Sequence, residues 1–207
     1  LGKKITNLFV VLANTKFMIF LLIYSLYWII FWQEFIIVPY YITDYIDVNA
    51  PYEIIQSWAG AGAIILLQIP INRLSKNIPT RKAILLGFAF SSLIWIIIGI
   101  SPSIPTIAAG IVAFAIGEMM QAPRYYEYIS EIAPAGQQGL FQGYAFLPIA
   151  IARFIGDPLG GWLYQSSKAA GKPEMVWFAL IGIGILATLL MWFYNIYVGR
   201  QESVKTT

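Results

Sequence analysis

Histidine and cysteine are both missing from this 207-residue chain. Without cysteine there is no disulfide, no thiolate nucleophile and no thiol–metal centre, and nothing marks a redox compartment. Without histidine, His-based triads, imidazole metal ligands and imidazole proton relays are excluded. Proton chemistry near neutral pH would then have to run through carboxylates in unusual surroundings. Charge is scarce too: Asp, Glu, Lys and Arg make up 11% of the chain, against about 25% in soluble domains. The sequence contains no glycine-rich phosphate loop ending in Lys-Ser/Thr, no GxSxG element and no clustered metal-ligand spacing. A nucleotide motor, a serine hydrolase and a metal or other cofactor centre are therefore not expected, nor is enzymatic activity. No basic-aromatic patch points to nucleic acid, and topology accounts for the formal charge of +3.

What fills the chain instead is apolar: 59% of residues are hydrophobic and the mean hydropathy is +0.71. Apolar runs of roughly 20 residues, enough to cross a hydrocarbon core of about 30 Å, recur along the whole length. Six transmembrane helices are predicted at about 17–42, 52–73, 81–100, 105–131, 140–165 and 175–198. The breakers "DVNAPYE", "SKNIPTR", "SPSIPT", "APAGQQG" and "SSKAAGKPE" separate them.

Basic residues set the expected orientation. In a six-helix layout Lys3, Lys4, Lys16, Arg73, Lys76, Arg81, Lys82, Arg200 and Lys205 fall on one side, and only Lys168 and Lys172 on the other. Both termini are therefore expected in the cytoplasm, with the chain a multi-pass protein of the cytoplasmic (inner) membrane. The opposite side carries Asp44, Asp47, Glu53 and Glu174. Because "LGKKITN" opens on Leu without a signal peptide, either a trimmed chain or the carboxy-terminal piece of a longer one is expected.

Charge inside a span is costly and normally faces a cavity or a partner. Glu34 lies in "YWIIFWQEFIIVPYY", with Tyr27 and Tyr41 within about 20° of it on the helical wheel. Glu118 sits mid-span in "AIGEMMQAPRYYEYISEIAPAG", where Gln121 and Tyr125 share its face. Arg124, Glu127 and Glu131 turn to the opposite half of that helix. Arg124 and Glu127, at i,i+3, suit either a self-neutralising pair or a gate. Arg153 and Asp157, at i,i+4, can neutralise each other, or else leave Arg153 for an anionic substrate group. Small residues at Gly139…Gly143, Gly156…Gly160 and "AGAGA" at 59–63 suggest close helix packing, and Pro148 and Pro158 suggest bends in the fifth helix.

An internal echo accompanies these acids. Glu34…Pro39 in the first span and Glu118…Pro123 in the fourth both read Glu-x4-Pro. The first and fourth helices would lead two three-helix units of opposite sense, an inverted 3+3 arrangement known in transporters.

The loop "INRLSKNIPTRKAIL" between the second and third spans resembles the basic cytoplasmic loop of the major facilitator superfamily. More narrowly, "GEMMQAPRYYEYISEIAPAGQQGLFQGYAFLP" is similar to the tenth-helix region of the proton-dependent oligopeptide transporters. "FWQEF" is similar to their seventh helix, although here the glutamine precedes the acid. Arg124 and Arg153 stand outside that family's pattern. The resemblance implies an all-α membrane fold, with residues 1–207 as the carboxy-terminal six-helix bundle of a twelve-helix transporter. Its amino-terminal half would lie in the same polypeptide or a separate chain. It further implies that Glu118 contacts substrate and that Glu34 takes part in proton coupling. With the reading of the spans, the expected substrate-binding residues are Glu118, Gln121, Tyr125, Tyr27 and Gln33, and the expected proton-coupling residues are Glu34 and Glu118. The expected partners are a small-molecule substrate, protons and the bilayer. The expected function is proton-coupled uptake of a small polar solute such as a peptide, by alternating access. The alternatives are a facilitator for a sugar, drug or organic anion, and a non-transporting six-helix scaffold or accessory subunit.

Overall fold

A computed structural model describes residues 9–205, with side chains described for residues 9–201. Lys3 and Lys4, which contribute to the expected orientation, lie outside the described residues, as does the side chain of Lys205. Residues 9–13 are helical. Asn14 then caps helix α1 (Thr15–Tyr45), its Oδ1 accepting the Phe17 amide at 3.0 Å, which satisfies a donor with no intrahelical partner. There follow α2 (Tyr52–Ser75), α3 (Thr80–Ile100), α4 (Ile104–Ile132), α5 (Gln138–Ala169) and α6 (Met175–Lys205). Among the described residues, six helices are long and apolar enough to cross a membrane. They extend past the predicted spans at most ends, α1 beginning at Thr15 and closing at Tyr45.

Two helices depart from regular α geometry, and the sequence explains why. Helix α2 passes through a π-helical turn at Ser57–Ala61, in the small-residue stretch where few side chains resist a wider turn. Helix α5 is broken at 144–146 and carries a second π turn at Ala152–Gly156. Pro148 and Pro158 each stand in the first turn of the helical piece that follows an irregularity. That is the position where a missing amide costs least.

Helix α1 is central. Of its apolar stretch 67% is buried, against 17% of that in α2. An aromatic core surrounds it: Tyr24 meets Tyr125 at 4.0 Å, Tyr27 stacks on Phe88 at 4.8 Å, and Trp95 stacks on Trp177 at 6.0 Å. Helices α3 and α4 make the tightest seam. A Cβ on Gly87 would collide with Gln121, and one on Gly117 would collide with Ser91 and the Gly87 carbonyl. In a membrane, where apolar side chains gain little by leaving lipid, such backbone approach is a main source of association. On α5, Gly156 packs against Ile29 and Gly160 against Gln33, whereas Gly139 and Gly143 face open space. The Gly139…Gly143 pair therefore does not serve the packing expected of it within this bundle.

Candidate functional site

Helices α1, α2 and α4 enclose a cavity of about 240 Å³ lined in part by Phe31, Glu34, Phe35, Gln56, Phe114 and Glu118. The two mid-span acids, 84 positions apart in sequence, thus open into one space. Glu34 is 0% exposed, and the Gln56 side chain is its polar neighbour across the cavity wall. Glu118 is half-buried. Gln56 belongs to the same wall, its Oε1 buried and unpartnered. Glycine at 60 leaves this amide room: a Cβ there would stand 3.1 Å from Gln56 Nε2. The adjoining π turn is the kind of irregularity that recurs at functional sites.

The backbone around Glu34 is held from α2. The Tyr52 hydroxyl donates to the Glu34 carbonyl at 2.8 Å, in the stretch leading to Pro39, which lies inside the helix. The carboxylate has the Gln56 side chain beside it instead of a cation, and it shares the cavity with Glu118.

The other expected site residues are distributed differently. Tyr125 lies nearly in line with Glu118 on the wheel, but two turns, about 10 Å, further along the axis. There its neighbours are α1 and the break in α5: it is 2% exposed and donates to the Ala145 carbonyl at 2.6 Å. Gln121 turns towards α3 and packs on Gly87. Neither lines the cavity, which corrects the expectation that both share Glu118's surroundings. The stripe through Tyr27 and Tyr41 meets the same fate. Tyr27 is 0% exposed, with its phenol 3.4 Å from Ser91 Oγ, and Tyr41 packs on Trp177. Gln33 is a latch between helices, its Nε2 donating to the Gly156 carbonyl at 3.1 Å and the Ile29 carbonyl at 3.2 Å. Direction round a helix was legible; depth decided the neighbour.

Both intrahelical pairs form. Arg124 Nη1 meets Glu127 Oε2 at 2.6 Å, and Arg124 Nη2 donates to the Ser75 carbonyl at 3.4 Å, at the end of α2. Arg153 Nε meets Asp157 Oδ2 at 3.2 Å, and its guanidinium lies 4.4 Å from the Trp32 ring centroid. Glu131 accepts from the Thr80 hydroxyl at 3.4 Å.

Sequence reasoning missed two features. Gln56, Phe31, Phe35 and Phe114 line the acid cavity; a lone polar residue entering the small-residue stretch of α2, and a phenylalanine one turn before Glu118, were the available signals. The second is a cluster at the far end of α1, where Asp44 Oδ2 accepts from Lys168 Nζ at 2.6 Å and from the Tyr164 hydroxyl at 2.8 Å. Lys168 lies 124 positions from Asp44, so no local pattern could announce it.

Comparison with known proteins bears on this arrangement. The profile of the Major Facilitator Superfamily matches residues 10–206. Multidrug resistance protein MdtH of Klebsiella pneumoniae subsp. pneumoniae is 27% identical over 185 residues, covering 88% of this chain and 46% of the relative. The MdtH of Edwardsiella ictaluri is 25% identical over 191 residues, with 91% and 47% covered. That of Citrobacter koseri is 27% identical over 199 residues, with 95% and 47% covered. The chain spans about half the length of these relatives. With the superfamily profile matched along almost the whole chain and six membrane-capable helices in the fold, this integral multi-pass membrane protein belongs to the major facilitator superfamily, whose members are transporters and not enzymes.

Proposed function

We propose that the chain forms one six-helix half of a secondary transporter for small, drug-like organic solutes, and that Glu34 and Glu118 couple solute movement to protons. The observation that carries this is the shared cavity, in which a fully buried Glu34 faces the same space as Glu118. Its Phe31, Phe35 and Phe114 walls suit an apolar aromatic body, and its two carboxylates suit a cationic group. Within this bundle, which has no histidine, carboxylates are the groups suited to exchanging protons near neutral pH. The name carried by the relatives, multidrug resistance protein, supports a drug-like solute.

In this reading both termini are cytoplasmic and the host is the inner membrane. The Glu34…Pro39 and Glu118…Pro123 echo reflects an inverted 3+3 repeat, and a second six-helix bundle, in the same polypeptide or another, completes the cavity. Alternating access then moves the acids between the two aqueous sides. Arg124–Glu127 acts as a structural tie, since it joins α4 to the end of α2.

Peptide uptake is the second reading, favoured by the resemblance around Glu118. Against it, Gln33 Nε2 and the Tyr125 hydroxyl, donors that a peptide backbone would use, are committed to the Gly156 and Ala145 carbonyls. Flux of a labelled cationic aromatic dye into and out of proteoliposomes, with and without an imposed proton gradient, tests both. The dye is expected to move with gradient dependence, and a dipeptide is not expected to compete. Gradient-dependent flux that survives in both Glu34→Gln and Glu118→Gln would sink the coupling assignment.

A further inference from the structure

The acid cavity is not the only charged feature on its wall. Arg153 lies near the middle of α5, and its side chain is 47% exposed. A half-exposed arginine at that depth is too costly against hydrocarbon, so the face carrying it looks onto water or protein. Helix α1 supplies the surface beneath it. Trp32 lies 4.4 Å under the guanidinium, Phe31 is 5.2 Å and Phe35 5.9 Å from Trp32, and Phe31 is 5.3 Å from Phe114. Phe31, Phe35 and Phe114 are themselves walls of the cavity holding Glu34 and Glu118. A run of aromatic contacts therefore leads from the cavity with the two carboxylates to the ring beneath the guanidinium.

Asp157 does not use up this guanidinium. Its oxygens meet Nε at 3.2 Å and Nη1 at 3.4 Å, leaving Nη2 without a partner among the described residues. Stacking on Trp32 fixes the plane of the fork and so limits the ordering cost of binding a second anion. Arginine presents paired donors matched to a carboxylate, which a point-charge lysine does not.

We propose that Arg153, held on Trp32, is a specificity-determining residue that binds a carboxylate or similar anionic group of the solute while its cationic group reaches Glu34 and Glu118. The site then prefers aromatic zwitterions to aromatic cations of the same shape. This rests on the transport reading above. Asp157 tunes the preference, since its carboxylate on Nε and Nη1 partly neutralises the guanidinium that the solute anion approaches from Nη2.

Binding of rhodamine B, a zwitterion, and of its cationic ethyl ester to the complete transporter, this chain together with its second six-helix bundle, in nanodiscs, read by fluorescence anisotropy, tests this. Arg153→Gln is expected to weaken rhodamine B about tenfold or more and to change the ester less than about twofold. Arg153→Lys should fall between. Asp157→Asn should tighten rhodamine B, an effect of opposite sign that damage to the fold cannot imitate. Glu118→Gln should weaken both dyes. Equal effects of Arg153→Gln on the two dyes, or no tightening in Asp157→Asn, overturn the Arg153 assignment while leaving the acid cavity standing. Failure of Glu118→Gln to weaken either dye, or of either dye to bind the unaltered protein, overturns the transport reading and this inference with it.

Discussion

Two carboxylates on the same helix, Glu34 and Asp44, have opposite fates. Asp44, at the end of α1, is held by Lys168 at 2.6 Å and by the Tyr164 hydroxyl at 2.8 Å. Glu34, in the middle, is buried on every side, and its polar side-chain neighbour is the Gln56 amide and not a cation. Satisfied charge ties elements together, and α1 and α5 are joined at that end by the Asp44 cluster. Charge without a counter-charge works against the fold, because a desolvated carboxylate costs several kcal/mol unless it is paired or neutralised. Its place on the cavity wall fits the proton-coupling role proposed for Glu34. Arg124–Glu127 and Arg153–Asp157 lie between these extremes as half-exposed pairs.

The sharpest way to break the comparison is at the uncompensated end. Glu118→Gln and Glu34→Gln are each expected to reduce gradient-dependent flux by tenfold or more in proteoliposomes, roughly what a lost proton-transfer group costs. Thermal melting of Glu34→Gln should hold or rise, since a neutral amide replaces a buried acid. A large loss of melting temperature would instead mean that Glu34 is structural. Next in size is the seam that positions Glu118. Gly117→Ala drives a methyl into Ser91 and the Gly87 backbone and should destabilise by about 1–3 kcal/mol, while Gly143→Ala, which meets nothing, should be nearly silent in the same assay. Tyr125→Phe removes the donor to the Ala145 carbonyl and should cost about 1 kcal/mol with dye binding retained. At the satisfied end, Asp44→Asn should lower the melting temperature and leave solute binding unchanged, the reverse of Glu34→Gln. Smallest of all, Glu127→Gln breaks a partly exposed pair worth less than about 1 kcal/mol; a larger loss, or a change in flux, would restore the gate reading for Arg124.

The contrast also measures what could be read in advance. Hydropathy alone placed six helices, because twenty consecutive apolar residues have few uses outside a bilayer. Intrahelical pairs were equally accessible: Arg124–Glu127 and Arg153–Asp157 follow from i,i+3 and i,i+4 geometry within one helix. The convergence of Glu34 and Glu118 was only suggested, through the Glu-x4-Pro echo. The close α3–α4 seam went unread because its small residues come from two helices, and the conspicuous Gly139…Gly143 pair drew attention elsewhere.

Periodicity within a helix is a local property, so the sequence by itself determined the membrane class, the six spans, the intrahelical pairs and which face of each span is polar. Helix packing decided the rest. Tyr125 and Glu118 point almost the same way, yet one meets the broken backbone of α5 and the other an open cavity. Gln33 and Glu34 are adjacent, yet one reaches the Gly156 carbonyl on α5 and the other opens into the cavity beside Gln56. A wheel gives direction but neither depth nor neighbour, and those two quantities separate a packing residue from a binding one.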